Sequence, residues 1–123
     1  MARILIADDD VILVEMLRFR LEAAAHEVVA ALDGQAALAS AGAQRPDLIV
    51  LDSMMPVISG PEVLARLKAD PNLNDVPVVM LTARKGESDV VAALKSGVDE
   101  YLTKPFIPQE LMVRIENLLA RAS

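Results

Sequence analysis

Short, unbroken apolar runs alternate five times along the chain with segments whose apolar residues recur at helical spacing. The runs occupy residues 4–7, 27–31, 47–51, 76–81 and 101–103. Between them Leu13, Met16, Leu17 and Leu21 repeat every three or four positions, as do Val63, Leu64 and Leu67, then Val90, Val91 and Leu94, and finally Leu111, Ile115, Leu118 and Leu119. A weaker, alanine-rich helix is expected over about 34–44. Asp33-Gly34, Arg45-Pro46, Ser59-Gly60-Pro61, Asp70-Pro71 and Ser96-Gly97 mark the boundaries. No repeat or linker interrupts the series. The pattern predicts an α/β protein, a single (βα)5 domain over residues 1–123, with a parallel sheet covered by helices on both faces.

Composition sharpens this picture. Hydrophobic residues make up 54% of the 123 positions and aromatic ones only 2%, so Val, Leu, Ile, Ala and Met must build the core, as they do in buried parallel sheets. Eighteen acidic against twelve basic residues give a net charge of -6, which disfavours a broad electrostatic grip on nucleic acid or anionic lipid. The absence of cysteine excludes disulfides, thiolate nucleophiles and zinc–cysteine sites, and fits a reducing, cytoplasmic setting. At the N-terminus an apolar run is cut short by three aspartates, the pattern of neither a signal peptide nor a membrane span.

In open parallel sheets, sites lie at the carboxyl ends of the strands. There the sequence places Asp8, Asp9 and Asp10 after the first run, Asp52 after the third, Thr82 after the fourth and Lys104 after the fifth. If the first and third strands are neighbours, roughly 5 Å apart, the carboxylates of Asp8, Asp9 and Asp52 would repel unless a cation joined them. Hard oxygen donors without Cys or a nearby His suit Mg²⁺, or Mn²⁺ as a substitute. Lys104 adds a fixed positive charge and Thr82 a hydroxyl. Three carboxylates, a metal, a lysine and a hydroxyl are what in-line phosphoryl transfer to a carboxylate requires.

The segments Ala7-Asp8-Asp9-Asp10, Leu51-Asp52-Ser53-Met54-Met55-Pro56, Leu81-Thr82-Ala83 and Lys104-Pro105-Phe106 resemble the four signature segments of response-regulator receiver domains. The resemblance covers nearly the whole chain. It implies a flavodoxin-like sheet of order 2-1-3-4-5 and Asp52 as the phosphoacceptor, with a histidine kinase or phosphotransfer protein as donor. Asp9 and Asp52 would bind the metal directly, Asp8 through water, and Met54 through its carbonyl. Lys104, Thr82 and the backbone N–H groups of Ser53 and Ala83 would contact the phosphoryl group. Tyr101 would follow Thr82 on activation, and the Lys104–Pro105 peptide would be cis. Met54 and Arg84 would flank the hydrolytic water; neither side chain is a base at neutral pH, which implies a long-lived phosphoprotein. The output face would combine the fourth helix, the fifth strand and the last helix. On it Asp99, Glu100 and Glu110 beside Arg114 and Arg121 resemble the charged dimer surface of receivers joined to winged-helix DNA-binding domains, and Lys95 with Glu116 would form another cross-subunit pair. No nucleic-acid contact by this domain is expected.

Several residues have plainer readings. Asp8 to Asp10 would also serve as a strand end and helix cap. His26 reads as a helix-end residue with no partner for catalysis or metal binding, and the methionines read as core filler, with Met54 and Met55 beside the site placed to shield it from water. The charges on the output face read equally well as solvated groups of amphipathic helices. The pair Asp8-x-Asp10, with Thr82 and Lys104 downstream, also resembles haloacid-dehalogenase-like phosphatases, although no further acidic motif follows Lys104. A phosphate-independent interaction module would keep the fold without the chemistry. Two departures from the receiver pattern stand out: Val57-Ile58-Ser59 where an aspartate more often precedes the glycine, with Ser59 a possible cap for the next helix, and Val98 in place of a small residue.

Overall fold

The computed structural model describes residues 1–83 and 95–122. Its elements are β1 (Arg3–Ala7), α1 (Val11–Ala23), β2 (Glu27–Ala31), α2 (Gly34–Ala43), β3 (Leu48–Asp52), α3 (Gly60–Ala69), β4 (Val78–Thr82), β5 (Glu100–Thr103) and a C-terminal helix, α4 (Pro108–Ala122). The expected fourth helical segment around Val90, Val91 and Leu94 lies outside the described residues, as does Arg84. All strand pairs are parallel and the order is β2-β1-β3-β4-β5, the flavodoxin-like arrangement.

Side chains alternate across a strand, so each strand feeds two cores. Leu5, Ile49, Leu51, Val78 and Met80 pack against Ala37 and Ala41 of α2 and Val63, Leu64 and Leu67 of α3. On the other face Ile4, Ile6, Leu48, Val50, Val79 and Leu81 meet Val14, Leu17 and Leu21 of α1 and Leu111, Ile115 and Leu118 of α4. Strands β3 and β4 are buried throughout, which is why their sequences are continuous apolar runs. Burying each such Leu or Ile contributes about 1.5–3 kcal/mol, and these two layers hold the strand ends in place.

Helix starts are set by capping side chains. Asp10 accepts the N–H groups of Ile12 and Leu13, Asp33 that of Ala36, and Ser59 that of Glu62. Strand β4 begins two residues later than its apolar run, at Val78, because Pro77 has no N–H to donate and the Asp99 carboxylate accepts the Val78 N–H at 2.8 Å. Val98 is buried within the core under α3, so its extra bulk is accommodated.

Candidate functional site

The carboxyl edge of the sheet gathers the acidic residues because β1 and β3 are neighbours, with Ala7 beside Leu51. Asp8 is completely buried. Its backbone N–H donates to the Ala31 carbonyl at 3.1 Å, and its carboxylate accepts the Asp10 N–H at 2.9 Å and the Lys104 ammonium at 3.0 Å. Asp52, also buried, lies 3.4 Å from the same ammonium and faces a long contact from the Met54 N–H, also 3.4 Å. Asp9 is exposed. One carboxylate oxygen from each of Asp8, Asp9 and Asp52 falls within 4.8 Å of the others. Three hard anionic donors converging on one point, one side open to solvent, fit a hydrated Mg²⁺.

Lys104 is aimed into this cluster from the end of β5, where its N–H donates to the Thr82 carbonyl at 2.7 Å and the Lys104–Pro105 peptide is cis. Burial and then the neighbouring Asp8 charge push the Asp52 carboxyl above the ordinary carboxylate range, against the opposing pull of Lys104 and the Met54 N–H. For Lys104, burial is the largest single influence and favours the neutral amine. Asp8 and Asp52 together outweigh it and raise the ammonium above its ordinary value.

The loop after β3 is held by two glycines. A Cβ on Gly34 would lie 2.1 Å from the Ile58 carbonyl oxygen, and one on Gly60 2.2 Å from that of Asp52. Between them the Pro56 carbonyl accepts the Ile58 N–H at 2.9 Å, closing a three-residue turn with Val57 at φ 73°. A β-branched residue rarely adopts that conformation.

Several expectations change on inspection. Asp10 caps α1 instead of joining the cluster, so Asp8-x-Asp10 does not act as the paired motif of the phosphatase reading. The Ser53 N–H does not face the site. It donates to the Leu81 carbonyl at 2.9 Å as a continuation of strand pairing, and the Met54 N–H is the one turned toward Asp52. Met54 is 60% exposed and so forms no apolar cover, while Met55 packs against the core. Tyr101 is half-buried against the same core, and Ala83 is exposed beside Thr82. On the expected output face, Arg114 binds Glu100 and Glu110 of its own chain, and Arg121 approaches Glu100 at 3.9 Å. Asp99 is engaged by Val78, and Lys95 is exposed. Glu116 pairs with His26 at 2.8 Å, and the other ring nitrogen of His26 accepts the Ala2 N–H at 3.0 Å. That pairing joins residues ninety positions apart and serves neither catalysis nor metal binding. The Ser53 hydroxyl, absent from the expected site, donates to Thr82 Oγ1 at 2.6 Å.

The family model for the response regulator receiver domain matches residues 4–116. The chain belongs to this family. Among curated relatives, the alkaline phosphatase synthesis transcriptional regulatory protein PhoP of Bacillus subtilis is 41% identical over 98% of the chain and 49% of its own length. The transcriptional regulatory protein PrrA of Mycobacterium tuberculosis is 46% identical over 97% of the chain and 50% of its own length. The chain thus spans about half the length of the curated relatives it matches. Among solved structures, the receiver domain of the Francisella response regulator 1452 superposes with a TM-score of 0.94 at 33% identity, covering all of both chains. The receiver domain of the sensor histidine kinase PA1611 from Pseudomonas aeruginosa, described with a magnesium ion coordinated in its active-site cleft, gives 0.87 at 29% identity over 97% of this chain and 98% of its own. These relatives make the chain a receiver domain of two-component signalling. Among the described residues no helix is long and apolar enough to cross a membrane.

Proposed function

We propose that the chain, as one receiver unit over residues 1–123, accepts a phosphoryl group on Asp52 from a histidine kinase or phosphotransfer protein. The observation that carries this reading is the single ammonium of Lys104 set 3.0 Å from Asp8 and 3.4 Å from Asp52 at the ends of three strands. An Asp52 carboxylate oxygen attacks phosphorus, the bond from phosphorus to the donor imidazole nitrogen breaks, and the imidazole leaves with the electron pair and takes up a proton. Asp8, Asp9 and Asp52, with the Met54 carbonyl, would hold Mg²⁺, which supplies positive charge for the incoming phosphoryl oxygens. Magnesium in the cleft of the PA1611 receiver supports that assignment.

Lys104 pairs with carboxylates at rest and is placed to bind a phosphoryl oxygen after transfer, an electrostatic contribution that needs no rearrangement of the backbone. Thr82, with the Met54 and Ala83 N–H groups, completes the contacts. The domain thereby promotes its own modification without turning over a separate substrate. Because the thioether of Met54 offers no base, hydrolysis is slow. Phosphorylation draws Thr82 toward the new group and lets Tyr101 follow, shifting the surface around β5 and α4 toward a form that engages a second copy or an output domain. Cytoplasmic location fits a kinase donor and the absence of cysteine.

Incubation with acetyl phosphate and Mg²⁺ should add one phosphoryl mass, and Asp52→Asn should abolish it. Full incorporation in Asp52→Asn would reject this reading.

A further inference from the structure

Ser53 and Thr82 share a hydrogen bond that none of the expected roles uses. Asp52 pairs with Leu81 across β3 and β4, so the next residue on each strand, Ser53 and Thr82, face one another. Ser53 Oγ donates to Thr82 Oγ1 at 2.6 Å, and both residues are buried, at 9% and 1% exposure. Their backbones are fixed: the Ser53 N–H donates to Leu81 and the Thr82 carbonyl accepts from Lys104. The two hydroxyls can therefore separate only by rotation of a side chain. Rotation of Thr82 removes the acceptor from a buried Ser53 hydroxyl, and a buried donor that loses its partner is costly.

We infer that Ser53 is a latch, a positioning residue that holds Thr82 in its resting rotamer and sets how rarely the unphosphorylated domain visits its active arrangement. This rests on the reading that Thr82 turns toward a phosphoryl group on Asp52. An apolar side chain at position 53 would make no such demand on Thr82. One buried hydroxyl pair biases the equilibrium by roughly threefold to tenfold. When a small donor reacts with the active arrangement of a pre-existing equilibrium, its rate scales with that population.

The test compares the full chain with Ser53→Ala, Thr82→Ala and the double variant for phosphoryl incorporation from acetyl phosphate with Mg²⁺. Ser53→Ala should react about threefold to tenfold faster and bind beryllofluoride more tightly by the same factor. In the Thr82→Ala background the same change should alter the rate by less than about twofold. Ser53→Thr, which restores a hydroxyl, should return the rate to that of the unmodified chain. An unchanged or slower Ser53→Ala, or an equal gain without Thr82, overturns the latch while leaving the acceptor intact. Failure of the unmodified chain to incorporate phosphoryl at all overturns the acceptor reading and the latch with it.

Discussion

The two ends of the sheet treat charge in opposite ways. At the amino end, opposite charges meet in pairs: Arg3 with Glu27 and Arg45 with Asp75, each at 2.5 Å, while Asp47 accepts the Arg3 N–H and His26 bridges Ala2 and Glu116. At the carboxyl end three carboxylates crowd one another, two of them sharing one ammonium, and the loop beside them carries a β-branched residue at positive φ. The amino end is arranged for stability. The carboxyl end keeps a repulsion that a bound cation would relieve, so its stability depends on what is bound.

The sharpest way to break this contrast is Lys104→Ala. Removing the cation leaves two buried carboxylates facing each other, and the metal-free protein should lose about 2–3 kcal/mol. Thermal unfolding with and without Mg²⁺ checks it, because the metal should restore most of the loss. Next comes His26→Ala at the opposite end, expected to cost about 1 kcal/mol through a half-buried Ala2 N–H without its acceptor and a Glu116 without its donor. There Mg²⁺ should restore none of the loss, and acetyl phosphate incorporation should stay at the unmodified rate.

Asp52→Asn should instead stabilise the metal-free protein near neutral pH, because the ionised carboxylate is disfavoured by burial and by Asp8. The native state raises the Asp52 pKa, so it holds this proton more tightly than the unfolded chain does. Ionising the group as pH rises above its unfolded value of 3.8 therefore erodes stability in the native acid. The advantage of Asn should disappear below that pH, and chemical denaturation across the pH range in EDTA would reveal it. The smallest effect is that of Val57→Gly. Relief of the positive-φ conformation outweighs the added freedom of the unfolded chain by about 0.5 kcal/mol, visible as a modest rise in denaturation midpoint.

Much of this contrast could be read from the sequence, and the part that could not has a common cause. Apolar runs located all five strands to within two residues, and the polar residues following four of those runs placed Asp8, Asp52, Thr82 and Lys104 at one edge. Run and edge are local properties, carried by side-chain period and chain direction. Hydrogen bonds between distant segments are not. His26 meets Glu116 through the packing of the last helix, and Ser53 meets Thr82 through strand register. Similar reasoning explains Arg114: the resemblance to receiver dimer faces marked Glu100, Glu110 and Arg114 as one charged surface, but not that the two acids would close on Arg114 within one chain. Val57 gave no warning either, because its sequence type argues for extended backbone and the turn is imposed by Pro56 and the glycines around it.

Those glycines carry a practical lesson for anyone building an optical reporter from this domain. A dye or inserted peptide at Gly34 or Gly60 would collide with the main chain of the segment linking β3 to α3, so the label itself would disturb what it was meant to watch. Gly42 in the second helix has nothing within 4 Å of where a Cβ would stand, which makes Gly42→Cys the attachment point least able to perturb the molecule.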